Sequence, residues 1–187
     1  MTIPASLDDT VRCLRAGGVV AYPTEAVWGL GCNPDDEAAV LRLLAIKQRE
    51  VDKGLILVAA EVAQFDGWLD WPALAPDQVR AVHASWPGPH TWIVPALSRV
   101  PRWITGRHAG VAVRVSAHPV VAALCRAAGM PLVSTSANRA GEPPAHRREA
   151  LDPQVLAAVD AVCEGETGGL GAPTAIRDAR TGATLRQ

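Results

Sequence analysis

What most constrains this chain is a recurrence. Short apolar runs at 19–22, 111–115 and 132–133 are each followed by polar residues or Pro, a further run lies at 55–59, and helical stretches lie between them. Runs this short, rich in Val, Ile and Leu and bounded by turn residues, read as buried strands. Strands interleaved with helices hide both kinds of apolar surface by packing in layers, so the expected fold is an α/β or α+β sheet domain. Ser6 is placed to cap a helix over 7–16 that carries Asp8 and Asp9 in its first turn and ends at Gly17 and Gly18. Asp35 and Asp36 open a second helix, which turns Val40, Leu41, Leu44 and Ile46 toward a core and delivers Lys47 at its end. Further helices are predicted over 61–85, broken at Pro72 and Pro76, over 119–128 and over 147–158. Further strands are predicted at 91–94, 159–163, 174–177 and 183–185. The segments 23–31, 134–138, 139–144 and 165–171 read as loops. One domain spanning 1–187 accounts for the whole pattern, since a chain of 187 residues is long enough for one well-buried core.

Several function classes are disfavoured. No apolar run approaches the roughly 20 residues that span a bilayer, and the N-terminus lacks the basic and apolar regions of a secretory signal, so a cytoplasmic protein is expected. Four cysteines without C-x-x-C spacing and five histidines without ligand spacing argue against a protein-held metal. A net charge of −1 gives no global field for nucleic acid, so any contact with RNA must be local. Neither a G-x-x-x-x-G-K-[ST] element nor a G-x-S-x-G elbow is present.

Four clusters carry chemistry, and two of them, at Thr24 and at Ser134–Asn138, follow strands, where open sheets place their ligands. Of 18 basic residues only Lys47 and Lys53 are lysines, and with Arg49 they put three cations in seven positions. A triphosphate needs several such charged donors. The run Ser134-Thr135-Ser136-Ala137-Asn138 offers four hydroxyl or amide groups in five positions, although a solvated turn would use the same residues. Thr24 lies in the loop after the first strand and Arg114 in the middle of another. Glu25 is open to two roles, a base or a loop-ordering carboxylate.

In order along the chain, the segments YPTEAVWGLG at 22–31, KQREVDKGLIL at 47–57, PGPHT at 87–91, VAVRV at 111–115, STSANRAGEPP at 134–144 and GLGAPTAIRDARTG at 169–182 resemble the YrdC/TsaC family of threonylcarbamoyl-AMP synthases, in its short single-domain form. The resemblance implies an open, strongly twisted mixed sheet flanked by helices, with a concave, positively charged cleft. It implies that the chain joins L-threonine, bicarbonate or CO2, and ATP into threonylcarbamoyl-AMP and pyrophosphate, for the threonylcarbamoyladenosine modification of tRNA beside the anticodon. By motif match Thr24, Arg114 and Ser134 would bind threonine. Lys47, Arg49, Lys53, Ser136, Asn138 and Thr174 would bind ATP, and Mg2+ would arrive on the phosphates without ligands from the protein. The implied partners are a separate threonylcarbamoyl transferase complex and a local contact with tRNA. Three positions differ from common members: Val58 where many carry His, Trp28 in place of Tyr, and Ala140 in place of Ser. Two rival readings remain, a module that binds tRNA or double-stranded RNA, and the carbamoyl phosphate chemistry of the related domain in hydrogenase maturation proteins.

Overall fold

The computed structural model describes residues 4–172 and 174–186; the first three residues of the N-terminal stretch read above lie outside it. The Ser6 hydroxyl accepts from the Asp9 N–H at 3.2 Å and starts α1 (Leu7–Arg15), with Asp8 and Asp9 at the positive end of the helix dipole. Next come β1 (Val20–Pro23), β2 (Trp28–Gly31), α2 (Glu37–Lys47), which Asp36 caps through the Ala39 N–H at 3.0 Å, and β3 (Ile56–Ala59). The chain continues through α3 (Pro76–Ala84), β4 (His90–Pro95), α4 (Arg102–Thr105), β5 (Gly110–Val115), α5 (Pro119–Ala128) and β6 (Leu132–Ser136). It closes with α6 (Pro153–Ala158), β7 (Ala161–Val162), β8 (Ala175–Asp178) and β9 (Thr184–Arg186).

Among the described residues the strands form one mixed sheet in the order β7-β1-β2-β6-β3-β5-β4-β8-β9. Three pairs are parallel, β1 with β7, β3 with β5 and β4 with β8, and the others antiparallel. Side chains alternate between two cores. Val11 and Leu14 of α1 and Val121, Leu124 and Cys125 of α5 pack on Tyr22, Val58 and Leu132. Their chain neighbours Ala21, Leu57 and Val133 point to the opposite face, where Val40, Leu43 and Leu44 of α2 meet Trp28 and Leu30. The α1/α5 layer covers only part of its face. Beyond it the register sets Ser134, Ile56, Ala112 and Ile93 side by side across β6, β3, β5 and β4. That row is the floor of an open cleft.

Three local expectations need correction. The run at 23–31 is not irregular throughout, because Trp28–Gly31 is strand β2. Its glycines were misleading. A Cβ on Gly31 would lie 2.6 Å from the Val133 carbonyl oxygen and 2.7 Å from Tyr22 Cε1, so glycine here answers the close approach of a neighbouring strand and ring. The Ser134–Asn138 run is strand as far as Ser136, so two of its serines and Thr135 are held by the ladder. The helix expected over 147–158 is divided into a 3-10 turn, Arg148–Ala150, and α6, since Pro153 disfavours helical backbone at Asp152, which caps α6 instead. The stretch 61–85 is interrupted as expected, into 3-10 turns at Val62–Phe65 and Trp71–Ala73 and then α3.

The exit from α2 positions the first two cations. Gln48 adopts a left-handed conformation (φ 53°), the Gln48 N–H donates to Ala45 O at 3.0 Å, and the Arg49 N–H donates to Leu44 O at 2.9 Å. This double closure ends the helix and turns the chain sharply between Lys47 and Arg49. A side chain in left-handed backbone costs about 1–2 kcal/mol, most of which glycine avoids. Gln48→Gly is therefore expected to raise the thermal midpoint by about 2–4 °C, read by differential scanning calorimetry. An unchanged or lower midpoint would show that the Gln48 side chain is stabilising in its own right.

Candidate active site

The cleft has a volume of about 550 Å³, and its lining contains all nine residues picked out in the sequence: Thr24, Lys47, Arg49, Lys53, Arg114, Ser134, Ser136, Asn138 and Thr174. Among the described residues, four strongly basic side chains and His108 line it, and no Asp or Glu does. In a chain of net charge −1 this gathers four basic side chains around one concavity.

The three cations of the first cluster are held differently. Lys47 is 5% exposed, and its Nζ donates into a nest of four oxygens: Ser136 O at 2.7 Å, Asn138 O at 2.9 Å, Ser136 Oγ at 3.1 Å and Asn138 Oδ1 at 3.1 Å. Arg49 Nη2 donates to Gly54 O at 3.0 Å, which draws the guanidinium across the turn that carries Lys53. Lys53 ends a single 3-10 turn, Val51–Lys53, and its side chain is exposed.

Arg114 sits deep in the cleft at the edge of the α5 layer, 7% exposed. Its Nη1 donates to Thr174 Oγ1 at 2.8 Å, and Thr174 Oγ1 lies 3.1 Å from Thr91 Oγ1. Its Nη2 is 3.4 Å from Glu25 Oε2. Glu25 stands behind Arg114 and is not part of the cleft lining. Ser116 Oγ donates to Glu25 Oε1 at 2.6 Å and accepts from the His118 N–H at 3.1 Å. Of the two roles open to Glu25, the geometry supports the ordering carboxylate, which compensates and aims a buried guanidinium. His118 Nε2 lies 3.0 Å from Glu166 O, and burial lowers the His118 pKa below its ordinary value, so the neutral imidazole donates to that carbonyl. The Gly-rich segment around 165–171 is thereby tied over the first motif, with Gly168 N–H donating to Thr24 O at 2.9 Å and Leu170 N–H to Glu25 O at 3.0 Å. Thr24 itself is fixed by its hydroxyl, which donates to Val27 O at 2.7 Å.

Ser134 points into the cleft from β6, one row from Arg114 across the sheet. The three departures from common family positions fall in different places. Val58 is fully buried under α5 and Trp28 is fully buried in the opposite core, while Ala140 lines the cleft and donates its N–H to Lys47 O at 2.9 Å. Sequence reasoning missed the apolar lining, chiefly Ile56, Ile93, Ala112 and Ile176, and the contribution of Thr105 and His108. An apolar residue in a strand looks the same in sequence whether it meets a helix or a ligand. Among the described residues no cluster of three or more His, Cys, Asp or Glu could hold a metal, and no helix is long and apolar enough to cross a membrane.

The sequence profile of the Sua5/YciO/YrdC family, described as telomere recombination, matches residues 12–187. A protein of Xanthomonas euvesicatoria pv. vesicatoria named threonylcarbamoyl-AMP synthase is 63% identical over 186 residues, covering 100% of each chain. The structure of P. abyssi Sua5 complexed with L-threonine superposes with a TM-score of 0.85 at 29% identity, covering 95% of this chain, which spans only 54% of that one. Escherichia coli YciO has the same fold, with a TM-score of 0.85 at 24% identity, covering 100% of this chain and 96% of that one. The match across nearly the whole sequence, the shared fold and a cleft built from the expected motifs lead to one conclusion: the chain belongs to the Sua5/YciO/YrdC family.

Proposed function

We infer that the chain is a threonylcarbamoyl-AMP synthase, an ATP-dependent nucleotidyltransferase that serves tRNA modification. The observation that carries this reading is a cleft with no carboxylate among its described lining residues, a deep, pre-aimed guanidinium at one position and a cluster of cations at another. Identity of 63% to a whole protein of that name supports it. The competing reading, a module that binds RNA, is not favoured.

In the proposed reaction the threonine amine captures bicarbonate or CO2 as a carbamate, a carbamate oxygen attacks the α-phosphorus of ATP, and pyrophosphate leaves. No protein nucleophile is required, so the protein contributes position and charge. Arg114 pairs with the threonine carboxylate, held on its other side by Thr174 and Glu25. Thr24 and Ser134 face the threonine from the neighbouring walls. Arg49 and Lys53 hold the phosphates, Lys47 adds positive charge beside them, and Ser136, Asn138 and Thr174 border the nucleotide. Mg2+ fits as a companion of ATP, held by phosphate oxygens and water, because the lining carries no carboxylate to ligate it; when bound it neutralises phosphate charge. The product would pass to a separate transferase complex in the cytoplasm, which completes the tRNA modification.

The direct test is pyrophosphate release from ATP and bicarbonate with L-threonine, with L-serine or with no amino acid. Release that requires threonine is expected; release independent of any amino acid contradicts the reading. Two substitutions separate the subsites. Charge-assisted bonds contribute about 1.5–3 kcal/mol, so Arg114→Lys, which loses the planar fork, should raise the threonine KM about 10–100-fold and leave the ATP KM within about twofold. Arg49→Ala should do the reverse, with a similar loss on ATP and a folded protein by circular dichroism. Parallel losses for both substrates in both variants would merge the two subsites into one.

A further inference from the structure

We propose that Lys47 is a positioning residue: its buried ammonium locks the Ser136–Ala137–Asn138 turn in the shape that receives the nucleotide, acting through protein oxygens and not as a phosphate ligand. The proposal deepens the ATP-site reading and rests on it for the identity of the nucleotide.

The geometry of the ammonium carries the inference. An ammonium has three hydrogens, and four protein oxygens lie 2.7–3.1 Å from Lys47 Nζ. Two are the backbone carbonyls of Ser136, which also accepts from the Asn138 N–H at 3.0 Å, and of Asn138, and two belong to the side chains of the same residues. At 5% exposure the group has left bulk water, and a move toward a phosphate would take the ammonium donor away from the half-buried Asn138 carbonyl and amide oxygen. Lys53, six positions on and exposed, has no such constraint.

The lock has a consequence for each residue it holds. Asn138 Oδ1 is taken by Lys47, and its Nδ2 donates to the carbonyls of Arg139 and Glu142, so both ends of the amide shape the 138–142 turn. A second tie, from the Ala140 N–H to Lys47 O at 2.9 Å, fastens that turn to the end of α2. Ser136 Oγ accepts from Lys47, which leaves its hydroxyl hydrogen to donate to a ligand in the cleft. The last residue of α2 thus fixes the wall that Ser136, Asn138, Ala140 and Gly141 make along the cleft.

Because Lys47 and Lys53 are the only lysines, the first readout, by NMR, needs no variant of Lys47 itself. With 15N-lysine labelling, each ammonium gives at most one NζH3+ signal, and Lys53→Arg assigns them. The expected result is a slowly exchanging Lys47 signal in the free protein at neutral pH that keeps its position when ATP saturates, while the Lys53 signal appears or shifts. Absence of the Lys47 signal from the free protein, or its displacement by ATP as large as that of Lys53, overturns the proposal. If ATP perturbs neither lysine nor any backbone amide, the ATP-site reading fails, and the free-protein signal alone then decides the lock. A double-mutant cycle in kcat/KM gives a second readout: Lys47→Met with Asn138→Ala should lose no more than about twofold beyond Lys47→Met alone. Losses that multiply would show that the two residues act separately and would also overturn it.

Discussion

The hydrogen-bond register across β6, β3, β5 and β4 is the constraint on which the rest depends. It sets Ser134, Ile56, Ala112 and Ile93 in one row, and one row away it sets Leu132, Val58 and Arg114. A slip of one residue in any of these strands would turn its cleft-facing side chains into the opposite core. Because α1 and α5 cover only the row that contains Val58 and Leu132, the sheet face passes from packed core to open cleft within one strand repeat. Arg114 stands at that boundary, where burial by α5 on one side and the cavity on the other make a guanidinium both costly and useful.

The cost is offset locally. Glu25 and Thr174 reach Arg114 from different parts of the chain, and Glu25 is in turn held by Ser116, whose hydroxyl also anchors the backbone entering α5. The neutral His118 joins this group to the Gly-rich segment through Glu166. These contacts make the first motif, the Arg114 strand and the segment after β7 one connected support. The end of the cleft that carries Arg49 and Lys53 is built from an excursion of chain after α2, sharpened by the left-handed Gln48. One end is therefore rigid and buried, and the other is polar and accessible, which suits a small amino acid bound below a larger nucleotide.

The charged and hydroxyl residues of the site were legible because such groups seldom lie in a core without a reason, and Lys47, Arg49, Lys53, Arg114 and the Ser134–Asn138 run stood out by type and spacing. The sheet order was not legible, since β6 pairs with β2 and β3 from more than seventy residues away and no local pattern encodes that. The strand β2 was hidden by Gly29 and Gly31, and at Gly31 the small size serves a neighbouring ring and carbonyl and not a turn. The saturation of Lys47 was equally invisible, because spacing reveals that a lysine is present and not how many oxygens surround it. The role of Glu25 needed the third dimension for the same reason: only the fold places it behind Arg114 and away from the cleft.

The central claim is that this cleft joins three substrates into one adenylate, and the most direct measurement follows the carbon that links them. The protein is incubated with 13C-bicarbonate, ATP, Mg2+ and L-threonine, and the nucleotide products are resolved by mass spectrometry. The account predicts one product containing AMP, threonine and the labelled carbon, formed in step with pyrophosphate. Threonyl-AMP without the label, or pyrophosphate release with AMP alone and no labelled adduct under conditions where the adduct is stable, would contradict it.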